Sequence, residues 1–202
     1  MKIKILLAIL MLGSATVGCN MKQDEGRDTA TTEMGGLRKV RPQDLKNAIS
    51  LISDDWMLLA AGKEGDFNEM TISWGEMGEL WGRPIMTVFV DTTRFTHKYM
   101  EREDYFTVCG FAPEYKGDLQ YLGRHSGRDG DKLAATKLHA AFTELGNPYF
   151  NEASVVIECR KIYANDFDPS RMTGGMEDFY TKRGSVHTVF IGEITDVWAK
   201  QE

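Results

Sequence analysis

Cysteine is scarce: three residues in a chain of 202, at positions 19, 109 and 159. That is too few for a disulfide scaffold, and no CxxC or Cys/His spacing points to structural zinc. Positive charge is also short, with 24 Lys and Arg against 30 Asp and Glu and a formal net charge of −6. No basic block offsets the deficit, which argues against a nucleic-acid-binding surface. Proline numbers only 5 against 20 glycines, while 42% of residues are hydrophobic and 27% charged. Those fractions exclude collagen-like, coiled-coil and disordered chains. Histidines are few and scattered, at 97, 125, 139 and 187. HExxH, GxSxG and P-loop motifs are missing, and no GxGxxG follows the first strand, so a metal centre, a serine hydrolase and a Rossmann domain are not expected. The length suits one domain of the usual size of about 150 residues plus an extension.

Long apolar runs are absent except at the N-terminus. Lys2 and Lys4 precede the run Ile5 to Leu12, followed by the small residues Gly13, Ser14, Ala15, Thr16, Val17 and Gly18 and then Cys19. A short positive region, an apolar stretch too short to span a bilayer and a small-residue tract form an export signal. A buried N-terminal helix would need an amphipathic continuation, and none follows. Gly18-Cys19 resembles a bacterial lipobox, in which the cysteine is diacylated, although Thr16 replaces the usual Leu and Val17 the usual Ala or Ser. Ordinary cleavage after Ala15 is the competing reading. Acyl chains would hold the protein at a membrane surface without spanning it. From Asn20 to Gly36 the chain is polar and Thr-rich, as a tether is. The expected organisation is residues 1–18 signal peptide, 19–36 lipidated Cys19 and tether, and 37–202 folded domain. The expected location is outside the inner membrane, facing periplasm or cell surface.

Within the domain, Pro42 to Ile52 has helical spacing, and six segments read as strands: Trp56 to Ala61, Met70 to Trp74, Ile85 to Val90, Tyr105 to Phe111, Ser154 to Ala164 and Thr188 to Ala199. Phe95 to Arg102 and Glu114 to Leu122 read as helices, and Asp131 to Thr136 as a short third one. Asp166 to Gly184 reads as a long loop, with Pro169, Gly174 and Gly175 as breakers. Strict βαβ alternation is missing. The pattern predicts an α+β domain, a closed β-barrel with helical excursions.

Three clusters carry candidate chemistry. In Met70-Thr71-Ile72-Ser73-Trp74-Gly75, Thr71 and Ser73 share one face of a strand whose other face is apolar; that face could equally meet water. Thr92-Thr93-Arg94-Phe95-Thr96 follows a buried strand and opens a helix, where hydroxyls, N–H groups and a guanidinium suit a phosphate or simply cap the helix. Gly123 to Lys132 holds Ser126, Gly127, Arg128 and Lys132 in one glycine-rich loop able to wrap an anion. Asp129 reads as a brace for Arg128. Cys109 and Cys159 fall inside strands and read as small buried apolar residues without a redox role.

In this order the segments MTISWGEMGELWGRP, TTRFTHKYMEREDYFTV, YLGRHSGRDGDK, IECRKIYANDFDP and FIGEITDVW resemble the flavin reductase-like, FMN-binding split-barrel family, in particular its flavoredoxin-type branch. The resemblance runs from about Ala48 to Lys200. It implies a six-stranded split barrel, a homodimer and FMN bound near the subunit interface. It places Thr71, Ser73 and Trp74 along the isoalloxazine, and Arg94, Thr96, Ser126, Gly127, Arg128 and Lys132 around ribityl and phosphate oxygens. The flavin would carry the redox chemistry, so no protein acid, base or nucleophile is required. Export alters the physiology: NADH and NADPH are scarce outside the inner membrane, so exchange of electrons with another protein or a free flavin is expected. The alternative is a lipoprotein that binds flavin without turnover, or one that has lost the cofactor and binds a partner.

Overall fold

A computed structural model describes residues 35–36, 38–40 and 48–200. The expected signal peptide, Cys19 and most of the tether lie outside the described residues, as do residues 42–47 of the first helical pattern. What is described of that pattern is α1, Ala48–Ser53.

Two-sided burial explains the strongest strands. β2 (Met57–Lys63) is apolar on both faces: Met57, Leu59 and Ala61 point to one core cluster, Leu58 and Ala60 to another. β6 (Tyr105–Gly110) divides the same way, with Phe106 and Val108 inward and Cys109 outward. In β9 (Val155–Asp166), Ile157 and Cys159 face inward and Val156 outward. Period-2 alternation thus serves two cores at once. Fully burying a side chain of Leu or Phe size contributes about 1.5–3 kcal/mol.

The strands pair antiparallel in the order β3–β2–β6–β9–β10–β5–β4, where β3 is Asp66–Ile72, β4 Gly75–Leu80, β5 Arg83–Asp91 and β10 His187–Ala199. A short β1, Arg38–Val40, pairs with the far end of β10. The six strands read from the sequence are β2, β3, β5, β6, β9 and β10; β4 adds an edge strand. Closure is the point of correction. The hydrogen-bonded path starts at β3 and ends at β4, so the barrel is split between two consecutive strands. Ser73 and Trp74, expected inside a strand, form the step across that split.

The inner core gathers Met86, Val88, Val90, Phe106, Ile157 and Phe190, with Tyr99 and Met100 of α2 (Phe95–Arg102). Phe106 needs room beside β10, and Gly192 provides it: a Cβ there would lie 2.6 Å from the Phe106 ring and 2.7 Å from Cys159 Cβ. The register of β10 on β9 shifts at Ile191/Gly192, as a bulge does. The outer core is covered by α3 (Lys116–Arg124), through Leu119 and Leu122, and by a two-stranded ribbon, β7 (Ala140–Phe142) with β8 (Pro148–Phe150). A buried Glu158 accepts hydrogen bonds from Thr143 Oγ1 at 2.6 Å and Asn147 Nδ2 at 2.8 Å, tying this ribbon to β9.

The expected loop from Asp166 to Gly184 contains structure. It holds a 3-10 turn at Pro169–Arg171 and a helix, α4, at Met176–Arg183. Gly175, read as a breaker, is the N-cap of α4 (φ +83), and Gly184 (φ +71) is its C-cap, both in the left-handed region.

Candidate functional site

The site gathers where β3 ends, where β5 passes into α2, and where α3 passes into the following loop. Arg94 is the N-cap of α2, and no side chain caps that helix. The Thr93 hydroxyl and N–H both turn back to Asp91 Oδ1, at 2.6 and 2.9 Å. The simple capping role open to this turn is therefore not what it does; the His97 N–H bonds to Arg94 O at 3.0 Å, and the N–H groups of Phe95 and Thr96 remain for an anion.

Two arginines cross-brace the neighbouring loops. Arg94 Nη1 donates to Gly123 O at 3.3 Å, and Arg128 Nη1 donates to Thr93 O at 3.0 Å while its guanidinium lies 5.3 Å from the Phe95 ring centre. Each spends one donor of its five and keeps the others. Arg128 has no ion pair with Asp129 among the described residues; the expected brace is replaced by the bond to Thr93. Ser126 Oγ accepts the Arg128 N–H at 3.2 Å, which turns the loop toward α2. Gly127 sits tight against β3: a Cβ there would fall 2.0 Å from Asn68 Oδ1.

These groups line a cavity of about 220 Å³ that includes Arg94, Phe95, Thr96, Ser126, Gly127, Arg128 and Lys132. A second cavity of about 210 Å³ is lined by Thr71, Ser73, Trp74, Phe89, Asp91 and His187, among others. Met70, Arg94 and Arg183 line both, so the two are one cleft with a guanidinium-rich end and an aromatic end. All nine residues singled out from the sequence line this cleft.

Their engagement differs. The Thr96 hydroxyl is buried, accepting from Asn68 Nδ2 at 2.7 Å and donating to Glu69 O at 3.4 Å, which docks α2 on β3. Thr71 Oγ1 donates to Leu119 O at 2.5 Å and so fastens α3. Lys132 is buried, its ammonium donating to Glu69 O at 2.6 Å and Leu122 O at 3.1 Å, with Glu69 Oε1 at 3.8 Å. Burial pushes the Lys132 pKa down and the Glu69 pKa up. These three side chains therefore hold the walls together. Arg94, Arg128 and Ser73 are exposed, and Ser126 is half-buried.

Asp91 is the hub that sequence reading missed. It is 2% exposed and its Oδ2 accepts from Arg183 Nε at 2.7 Å and Ser185 Oγ at 2.9 Å. Burial alone would raise its pKa, but the bonds from Thr93, Ser185 and Arg183 outweigh it and hold the carboxyl well below the usual carboxylate range. His187, also missed, opens β10; its ring lies 5.2 Å from the Trp74 ring and its Nδ1 is 3.0 Å from the Tyr180 hydroxyl. Burial lowers its pKa, favouring the neutral imidazole. A carboxylate closing an apolar strand just before a hydroxyl-rich turn is the signal that marks Asp91. Arg183 lay in the segment read as loop.

The donor set fits a phosphorylated, flat ligand: forked guanidinium donors and free helix N–H groups at one end, and Met70, Trp74, Phe89 and His187 as walls at the other. Comparison with known proteins agrees. Residues 50–202 match the family model described as flavin reductase like domain. The chain belongs to the flavin reductase-like family. The fold is shared with flavoredoxin from Methanosarcina acetivorans, at 21% identity and a TM-score of 0.59 over 73% of this chain and 69% of that one. It is likewise similar to an FMN-binding protein from Thermus thermophilus with bound p-hydroxybenzaldehyde (20%, TM-score 0.58, 78% of each chain). A third similar fold is an NADH:FAD oxidoreductase from Streptomyces globisporus in complex with NAD and FAD fragments (16%, TM-score 0.55, 71% and 73%). No curated protein matches the sequence. The flavin reductase-like fold accounts for the split barrel.

Proposed function

We propose that this flavin reductase-like protein is an FMN-dependent oxidoreductase, exported, held to a membrane through Cys19, and active as a homodimer. The observation that supports it is the single cleft joining an arginine end to an aromatic end. Arg94, Arg128, Ser126 and the start of α2 would hold the phosphate, with Gly127 keeping the loop close. Ser73 would meet the polar edge of the ring, and Trp74, Phe89 and His187 its faces. FMN, when bound, supplies one- and two-electron redox chemistry; the chain's own residues bind it, orient it and exclude water. Thr96, Thr71 and Lys132 serve by fixing the walls.

Trp74 is 52% exposed beside the ring end, which supports a second subunit covering that side. The donor side follows from the export reading: electrons are exchanged with another protein or a free flavin, and NAD(P)H is not the chief source. The sequence features at Gly18-Cys19 support the anchor, with 1–18 as signal, 19–36 as anchor and tether, and 37–202 as the domain.

The test is reconstitution. Purified chain is incubated with FMN or with FAD, desalted and scanned in the visible. Retained absorption near ~450 nm with FMN is expected, with a weaker signal for FAD and loss of retention in Arg94→Ala and Ser126→Ala. A colourless protein with either flavin would overturn the proposal. Light scattering checks the dimer, labelled fatty acid with Cys19→Ala checks the anchor, and enzymatic turnover with NAD(P)H at micromolar flavin would refute the donor assignment.

A further inference from the structure

The sheet ends on an open edge at β4, and the hairpin beyond that edge is strained. Trp81 and Gly82 form the two-residue turn between β4 and β5, both at positive φ (55° and 70°). Asparagine and glycine favour such a turn, and a bulky residue there is an outlier. The Trp81 ring is also 70% exposed, so packing within its own chain offsets little of the strain.

The turn fixes which backbone groups of β4 face outward. A two-residue loop makes Leu80 and Arg83 a hydrogen-bonded pair, and alternation follows. Gly78 with Ile85 and Glu76 with Thr87 are bonded to β5, whereas Glu79, Met77 and Gly75 are not. Pro84, which has no N–H, sits opposite Glu79 at one of the non-bonded places. The N–H and C=O groups of Gly75, Met77 and Glu79 therefore point away from the sheet, and no hydrogen bond reaches them among the described residues. An edge of this kind accepts a further strand.

Few registers are open to a second β4 laid antiparallel on this edge, because outward residues must meet outward residues. With Met77 opposite Met77, Gly75 meets Glu79 and every outward residue is paired. Glu76 then meets Gly78, so no glutamate lies directly opposite another. Sliding the strands by two residues one way sets Glu76 against Glu76, a like-charge pair. Sliding them the other way asks Trp81, whose backbone is not extended, to pair with Gly75. The register that remains carries Leu80 to the partner's Trp74 and Trp81 to the partner's Ser73. Ser73 and Trp74 line the aromatic end of the cleft, where Trp74 is 52% exposed.

We propose that two copies of the chain join through their β4 edges in this register, and that Trp81 of the partner subunit completes the aromatic end of the flavin cleft beside Trp74. The rings left exposed in one chain are then covered by the other, and the strain at Trp81 serves a contact made between subunits. The part concerning flavin rests on the function proposed for the cleft; the edge pairing stands without it.

Sedimentation of the flavin-free full chain over roughly 1–100 µM should show a reversible dimer, as suits a small interface. Glu79→Pro removes an outward N–H that serves no bond inside the chain. It should leave the melting temperature near the parent's and weaken the dimer at least about tenfold. Trp81→Gly relieves the positive φ, so the melting temperature should not fall, yet flavin retention should drop roughly three- to tenfold. Mixing variants tests the shared site directly. Arg94→Ala and Trp81→Gly should each retain little flavin alone, but a mixed dimer has one site with Arg94 from one chain and Trp81 from the other. An equal mixture should therefore recover about a quarter of the parent's sites. A chain that is monomeric throughout, a dimer unaffected by Glu79→Pro, or a mixture no better than its components would overturn the proposal. A dimer that Glu79→Pro dissociates but that takes up no flavin would overturn the flavin occupant alone and uphold the pairing.

Discussion

Asp91→Asn should separate the cleft's architecture from its ligand chemistry. The substitution preserves shape and the oxygen that accepts from Thr93, but places an NH₂ where Oδ2 now accepts from Arg183 and Ser185. A charge-assisted hydrogen bond contributes about 1.5–3 kcal/mol. The Arg183 side chain is 38% exposed while that of Asp91 is 2% exposed, so solvent screens part of the pair and the lower half of that range applies. Adding about 1 kcal/mol for the Ser185 bond gives a loss of roughly 2.5–3.3 kcal/mol, or a fall in Tm of roughly 5–13 °C for a domain of this size. The pH dependence follows from sign. The folded pKa of Asp91 lies below its unfolded value, so its contribution is complete above the unfolded pKa and is lost as pH falls toward the folded one. The stability difference between parent and Asp91→Asn should thus be flat from about pH 5 to 8 and shrink below about pH 4. Urea unfolding across that range measures it, alongside flavin retention, which should fall because Arg183 lines both halves of the cleft. A Tm within about 1 °C of the parent, or a difference that does not shrink in acid, would refute the hub role.

Gly192→Ala should destabilise the barrel by about 1–3 kcal/mol, since the new methyl meets Phe106 and Cys159 at under 3 Å; Phe106→Leu in the same chain should recover part of the loss in a thermal melt. Both barrel cysteines are fully buried and burial pushes their thiols up, Cys109 to about 12. Neither should react with a thiol reagent at pH 8 until the chain is unfolded, as timed modification and mass spectrometry will show. Lys132→Met and Arg94→Ala should part company. The first strips a buried clamp and its partner Glu69, costing about 3 kcal/mol in urea unfolding, while the second leaves stability near the parent and lowers flavin retention.

The fold was legible where burial was two-sided or cleanly alternating. Met57 to Ala61 shows as one apolar run because its two faces serve two cores, and Tyr105 to Gly110 alternates for the same reason. β4 was hidden because an edge strand at the split need not bury a face: Glu76, Gly78 and Glu79 are exposed. The ribbon of β7 and β8 has three residues a side, too few for a period to show. α4 buries only Tyr180, so its apolar stripe is one residue wide, and Gly175, which looks like a breaker, is its N-cap. Barrel closure could not be read at all, because pairing between strands far apart in sequence is a property of registers, not of any one segment.

The cleft was legible by donor type but not by donor use. A strand end, a helix start and a glycine-rich loop advertise hydroxyls, guanidinium groups and an ammonium, and the fold brings all of them together. Which of them stay available depends on how many protons each carries. Thr71 has one hydroxyl proton, and the carbonyl of Leu119 takes it. Lys132 has three, and two go to carbonyls of Glu69 and Leu122. Arg94 and Arg128 have five each and give up one. A guanidinium can therefore brace a loop and still present a fork to an anion, whereas a hydroxyl or a buried ammonium that braces has little left. The same count explains why Asp91 and Arg183 escaped notice: they are 92 positions apart, and only their pairing gives either a role in the cleft.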